Sequence, residues 1–166
     1  MSSLSRFVRH LFAEGRGVRR AFPERSMKAI EDTIVAQERR HDGEIQFAVE
    51  EGLPLRDLLA GMTAHERALA LFGELCVWDT EQNCGVLIYL LLADHRVEIV
   101  ADRGIHRKVG AAAWEAICGA MQREFAIGKF EHGVVLGVQA ISDLLATHFP
   151  PRARNVDELT NRPIVI

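Results

Sequence analysis

The chain has 166 residues, of which 48% are hydrophobic and 26% are charged, and its formal net charge is −3. This length and this balance are typical of one globular domain and exclude a disordered or collagen-like chain. The three cysteines are an odd, widely spaced set without a CxxC pair, so we expect reduced thiols rather than a disulfide framework.

The amino-terminal stretch MSSLSRFVRHLFAEG predicts an amphipathic helix over residues 3–13. Its apolar residues recur at helical spacing, at Leu4, Phe7, Val8 and Leu11. Arginine and histidine interrupt this stretch, so it lacks the uncharged core of a signal peptide. The longest apolar run, residues 86–93, is far shorter than the roughly 20 residues of a membrane-spanning helix. We therefore expect a cytoplasmic protein without an integral membrane segment.

The charges are distributed unevenly along the chain. Residues 1–30 carry seven Lys or Arg against two Asp or Glu, whereas residues 31–94 carry four against thirteen. The amino-terminal arginines could meet phosphate or an anionic lipid face. A basic helix that docks on the acidic middle of its own chain explains them equally well. Because no aromatic platform or known nucleic-acid motif accompanies the arginines, we expect no nucleic-acid partner.

The next elements are two helices with a strand between them. Pro23 suits the first turn of a helix that should stop near residues 41–43. Apolar and polar residues alternate over residues 44–50, which predicts a strand with one covered face. Residues 51–62 are expected to form a loop with a short turn of helix. Thr63 and Glu66 have the spacing of a capping box, which predicts a helix over residues 63–76.

The stretch NCGVLIYLLLADHRVEIVADRGI predicts a β-hairpin. Residues 86–92 are apolar throughout, as in a central strand covered on both faces, and Asp94-His95 is the expected turn before a peripheral antiparallel strand. The strand at 44–50 reaches this hairpin through a helix, so the two strands should be parallel. Two further helices are expected, at about 107–125 and 130–147.

These elements predict an α/β fold, a three-layer α/β/α sandwich in which helices flank a small mixed sheet. We expect a single domain over residues 1–149, with its core at about 23–149. Residues 150–166 contain three prolines and no periodicity, which predicts an irregular carboxyl-terminal tail.

Three carboxylates are expected near one end of the hairpin. Asp79 and Glu81 precede the central strand, and Asp102 follows its antiparallel neighbour. Carboxylate oxygens suit Ca²⁺ or Mg²⁺, which could polarise a phosphate. The alternative is that these side chains are polar because water covers the strand ends.

Four segments together resemble the TPM domain family, whose name refers to thylakoid and membrane-associated proteins. The resemblance covers roughly residues 30–147 and lies in EIQFAVE, ERALALFGEL, NCGVLIYLLLADHRVEIVADRGI and REFAIGKFEHGVVLGVQAISDLL. It includes Asn83-x-Gly85 before the apolar strand, and Gly104. The resemblance implies an α/β sandwich that is commonly tethered to membranes, with an acid phosphatase or divalent-cation site near the end of the hairpin.

The chain departs from the family pattern after the second hairpin strand. His106 stands where the family has a glutamate, and Ala111 where it has an aspartate, so two carboxylates are missing. We therefore favour a non-catalytic TPM-like interaction module with a membrane-linked or envelope-related protein partner, and expect no cofactor. The alternative is a divalent-cation-dependent acid phosphatase in which Ca²⁺ or Mg²⁺ is held by Asp79, Glu81 and Asp102. His106 would then be general acid or base and Arg103 would steady the phosphate. The sequence indicates no oligomeric state.

Overall fold

The computed structural model of the protein describes residues 3–11, 16–152 and 158–166. The helices are α1 Ser3–Leu11, α2 Arg16–Ala21, α3 Glu24–Glu38, α4 Leu55–Leu59, α5 Ala64–Glu74, α6 Arg103–Val109, α7 Ala111–Ala126 and α8 Phe130–His148. The strands are β1 Ile45–Glu50, β2 Val86–Leu91, β3 Arg96–Ala101 and β4 Ile164–Val165. Within the described ranges, no helix has both the length and the hydrophobicity needed to cross a membrane.

The strands form one mixed sheet in the order β3-β2-β1-β4. β1 and β2 are parallel, with Ile45 opposite Val86, and β2 and β3 form the antiparallel hairpin. The parallel pairing and the hairpin are as the sequence predicts. His95 adopts a positive φ of 52° in the turn between β2 and β3, where the hairpin was expected to reverse.

Helices cover both faces of the sheet, which confirms the predicted α/β/α sandwich. Alternate residues of β2 belong to two separate cores, because successive side chains of a strand point to opposite faces. Ile88 packs in the core under α3, α7 and α8, whereas Tyr89 packs in the core under α5. The predicted capping box is also present, since Thr63 and Glu66 each satisfy a backbone N–H of the other at the start of α5.

The expectation that β1 has one covered face is wrong, because all six of its residues are buried. Glu50 is buried beside two partners: Tyr89 donates to Glu50 Oε2 at 2.6 Å, and Arg67 Nε donates to the same oxygen at 3.0 Å. Burial, followed by the hydrogen bond to Glu50, raises the pKa of the Tyr89 hydroxyl well above its ordinary value. The carboxylate of Glu50 can therefore be buried, because Arg67 of α5 pairs with it.

The carboxyl-terminal tail is not irregular throughout, as the sequence suggested. Ile164 and Val165 form β4, which pairs in parallel with Ala48 and Val49 of β1. A two-residue strand carries almost no periodic signal, so pattern reading misses it. Backbone pairing to β1 holds this segment in place.

Two helix predictions also differ from the structure. α2 was not predicted, and the helix expected at 107–125 is two helices, α6 and α7, which meet at Gly110 with a φ of 80°. A positive φ breaks the run of α-helical dihedrals, and glycine accepts it without steric cost. Residues 12–13 of the first predicted helix lie outside the described residues.

His41 is fully buried before β1, and its Nδ1 lies 2.9 Å from the carbonyl oxygen of Gly43. Burial lowers the pKa of this imidazole to about 4. An unfolded histidine has a pKa of about 6.5, so between these values the unfolded state binds more protons and folding stability falls as the pH falls.

We predict that acidification from pH 7 to 4.5 lowers the free energy of unfolding by about 2.5 kcal/mol through His41 alone. Urea unfolding at several pH values measures this slope, with His41→Asn as the comparison. The variant should lose most of the slope between pH 6.5 and 4.5. An unchanged slope would show that other groups cause it.

Candidate functional site

Asp102 lies where the hairpin leads into α6, and it caps that helix. Its Oδ1 accepts a hydrogen bond from the backbone N–H of Arg103 at 2.5 Å. The residue is buried, and its Oδ2 has no hydrogen-bond partner among the described residues. Oδ1 thus caps the helix, and Oδ2 is a buried acceptor to which no described residue donates.

Two glycines allow the chain to pack closely at this corner. A Cβ on Gly85 would lie 1.9 Å from the carbonyl oxygen of Val77, and one on Gly104 would lie 2.3 Å from that of Asn83. Asn83 itself adopts a positive φ of 55°, and its carbonyl accepts from the backbone N–H of Ile105 at 3.3 Å. The Asn83-x-Gly85 motif and Gly104 therefore join the loop before β2 to the first turn of α6.

The other two predicted ion ligands do not join Asp102 in one group. Glu81 is exposed and forms an ion pair with Arg152 at 3.0 Å, and Asp79 is exposed. Arg152 also binds the buried carboxylate of Asp42, so it ties Glu81 to the carboxyl-terminal segment. In the described ranges, no three His, Cys, Asp or Glu side chains are arranged to hold a metal ion. The cation site therefore stays a prediction.

The structure does bring the two predicted catalytic residues together. Arg103 and His106 are both exposed, and both line a groove of about 300 Å³ between β3 and α5. His65 and Leu69 of α5 form the opposite wall. The groove presents cationic and imidazole groups beside an apolar surface.

β3 is an edge strand, and one row of its backbone groups faces away from the sheet. The backbone N–H of Asp102 donates to the Gly85 oxygen at 2.9 Å, which makes this a hydrogen-bonded pair of the ladder. Bonded and non-bonded pairs alternate in antiparallel ladders, so Val97, Ile99 and Ala101 point their N–H and C=O groups away from β2. Against the larger effect of burial, the Ile99 N–H lowers the pKa of the Cys118 thiol on α7, so this N–H points towards α7, which agrees with this direction.

A second groove follows β3 on the side of α7. Its volume is about 440 Å³, and its walls include Trp114 and Cys118 of α7. It continues past Arg96 and Gln122 into a further groove of about 370 Å³ lined by Phe125 and Phe130. Burial raises the pKa of the Cys118 thiol to about 11, so this cysteine is a neutral, apolar part of the wall. The edge of β3 is thus open to a groove on each face of the sheet.

Sequence reasoning did not identify the β3 edge as a candidate site. The peripheral character of the strand was predicted, but a groove depends on where α5 and α7 lie, and no local pattern encodes that. One signal in the sequence pointed to a sheet edge: β3 has charged residues at alternate positions, and it follows β2, which is apolar throughout.

The fold and the corner geometry define the class of this protein as a small α/β/α sandwich domain, and comparisons with known proteins give its family. The model of the TPM domain matches residues 18–144, and the chain belongs to the TPM domain family. Among curated proteins, no relative matches.

Two solved structures are similar to this chain. BA42, a protein from the psychrophilic bacterium Bizionia argentinensis, is 30% identical with a TM-score of 0.77, and the match covers 87% of this chain and 95% of BA42. The N-terminal domain of a protein from P. gingivalis is 17% identical with a TM-score of 0.63, and the match covers 79% and 82% of the two chains. The second likeness concerns the fold alone.

Proposed function

We propose that this TPM domain is a non-catalytic interaction module that binds an extended segment of a protein partner along the free edge of β3. The observation that supports it is the row of outward N–H and C=O groups on β3, which lies between two grooves. The row is most accessible at Ala101, because Val97 is buried and the Ile99 N–H points to Cys118. An extended segment supplies the donors and acceptors that such an edge needs. The family resemblance makes a membrane-linked or envelope-related protein the expected source of this segment.

The two grooves match the geometry of an added strand. Successive side chains of a strand point to opposite faces, so a segment paired with β3 would place alternate side chains towards α7 and α5. The α7 groove offers Trp114 and Phe125, and the α5 groove offers Leu69. A partner segment with apolar residues at alternate positions would fill both grooves.

A library of random peptides about twelve residues long, long enough to pair with the whole of β3, tests this proposal with the full chain as bait. Ala101→Pro removes one outward N–H at a partly exposed position, and proline is tolerated on edge strands. Ala101→Ser is the matched control, because serine is also small and keeps the N–H. We expect selected peptides to bind Ala101→Pro at least about tenfold more weakly than the wild type, and Ala101→Ser within about twofold of it. Equal binding to all three proteins, or no selected peptide, would contradict the proposal.

A cation-dependent phosphatase is the second candidate, and two observations favour it. The Oδ2 of Asp102, which has no partner among the described residues, is a buried oxygen of the kind that a hard cation binds, and Arg103 and His106 share one groove. The exposed position of Asp79 and the pairing of Glu81 with Arg152 speak against it.

A melting experiment separates the two candidates. A ligand stabilises the state that binds it, so a bound ion would raise the melting temperature in millimolar Ca²⁺ or Mg²⁺. Asp102→Asn keeps a good helix-capping residue and removes the charge. The interaction module predicts no shift and no hydrolysis of an aryl phosphate between pH 4 and 8. A shift that Asp102→Asn abolishes, together with turnover, would establish the phosphatase instead.

A further inference from the structure

α1 is attached to the domain through its polar side. Arg6 Nε donates to Asp94 Oδ2 at 2.9 Å, and Arg9 Nε donates to the Ala93 oxygen at 2.7 Å. His10 is buried, with Nε2 3.0 Å from Asp94 Oδ1, and its Nδ1 accepts from the backbone N–H of Leu53 at 2.9 Å. A backbone N–H can only donate, so Nδ1 of His10 is the acceptor and its Nε2–H donates to Asp94.

This attachment leaves two apolar residues of α1 exposed to solvent. Val8 is 44% exposed and Leu11 is 57% exposed, whereas a surface helix normally buries its apolar stripe against the core. Arg6, Arg9 and His10 lie on the opposite side of the helix, as positions three and four residues apart do. We call Val8 and Leu11 the outer face of α1.

The neighbouring helix extends the apolar surface. α4 contacts α1, and Leu55 and Leu59 of α4 are 52% and 70% exposed. Two adjoining helices thus leave aliphatic side chains in water, which on a globular protein marks an interaction surface.

Three exposed arginines lie on α2, the helix that follows α1. Arg16, Arg19 and Arg20 are exposed, and none of them makes a hydrogen bond or an ion pair with a described residue. α2 is held by Glu51, whose Oε2 accepts from the N–H of Gly17 at 3.0 Å. Since His10 binds Leu53, both helices are fixed to the same short segment, residues 51–53. α1 and α2 are therefore held close to each other, which places the arginines of α2 near α1.

From this arrangement we infer that the outer face of α1, the leucines of α4 and the arginines of α2 bind the surface of an anionic lipid bilayer. Exposed aliphatic residues beside unpaired cations are what a peripheral protein needs at the boundary between acyl chains and acidic headgroups. A second copy of the chain is a poorer occupant, because a two-fold contact would bring two arginine clusters together. None of these residues lines the β3 grooves, so the inference is independent of the proposed function.

Vesicle flotation of the full chain tests the inference. We compare phosphatidylcholine vesicles with vesicles that contain roughly 30 mol% phosphatidylglycerol, an anionic lipid. The protein should float with the anionic vesicles alone, and about 0.5 M salt should release most of it by screening. Arg19→Glu combined with Arg20→Glu should weaken binding at least about tenfold.

Leu11→Asp tests the apolar contribution, and Ile127→Asp is its control, since Ile127 is 65% exposed at the end of α7 and lines neither β3 groove. Leu11→Asp should weaken vesicle binding at least about tenfold and Ile127→Asp less than twofold, with unchanged circular dichroism. Absence of binding to anionic vesicles, or equal loss in the two variants, would overturn the inference. Sedimentation velocity that shows a dimer broken by Leu11→Asp, without vesicle binding, would assign the face to a second copy and would also overturn it.

Discussion

Arg67→Ala is expected to lower the free energy of unfolding by about 3–5 kcal/mol, because it leaves the carboxylate of Glu50 buried without its counter-charge. Arg67 Nε lies 3.0 Å from Glu50 Oε2, and the two side chains are 13% and 3% exposed. The hydrogen bond from Tyr89 remains in the variant, but a neutral donor does not replace an ion pair. Chemical denaturation at pH 7 measures the loss.

The matched control for this variant is Arg56→Ala. Arg56 pairs with Asp57 at 3.2 Å, but its side chain is 87% exposed. Ion pairs on the surface contribute about 0–1 kcal/mol, so this variant should be nearly as stable as the wild type. A loss below about 1 kcal/mol for Arg67→Ala would show that water reaches Glu50 and that the α5 face of β1 is not closed.

Gly85→Ala is expected to cost at least about 3 kcal/mol or to prevent folding, since the added methyl group would collide with the backbone. The new Cβ would lie 1.9 Å from the Val77 oxygen, and a backbone carbonyl cannot move aside as a flexible side chain can. The loop before β2 would have to separate from the strand. Thermal melting and soluble yield measure the effect.

Gly73→Ala is the control, because nothing lies within 4 Å of a Cβ at this position in α5. Alanine is a better helix former than glycine, so this variant should gain up to about 1 kcal/mol. If Gly85→Ala were as stable as the wild type, the close packing of Gly85 on Val77 would be wrong, and with it the structural explanation of the Asn83-x-Gly85 motif.

The elements that the sequence predicted well are those with a local cause. The capping box of Thr63 and Glu66 and the hairpin with its turn at Asp94-His95 each depend on neighbouring residues, and both are present. The burial of Glu50 has a distant cause, because Arg67 belongs to another element. A glutamate in an alternating strand therefore indicated solvent, although an arginine seventeen residues later covers it.

The features of the candidate site also divide into those with a local cause and those with a distant cause. The end of the hairpin follows from adjacent residues, and the family resemblance located this corner, whereas the capping of α6 by Asp102 was not predicted. The pairing of Glu81 with Arg152 joins residues 71 positions apart, and the grooves beside β3 depend on how α5 and α7 pack on the sheet. Neither feature leaves a periodic or spacing signal in the chain.

The central claim, that a partner segment pairs with β3, is tested most directly by amide hydrogen exchange with a peptide selected from the library. The outward N–H group of Ala101 has no backbone partner in the described part of the chain, and Ala101 is partly exposed, so this amide should exchange rapidly in the free protein. Bound peptide should slow the exchange of this amide at least about tenfold. Saturating peptide that leaves the Ala101 amide unprotected, while others become protected, would contradict pairing at β3.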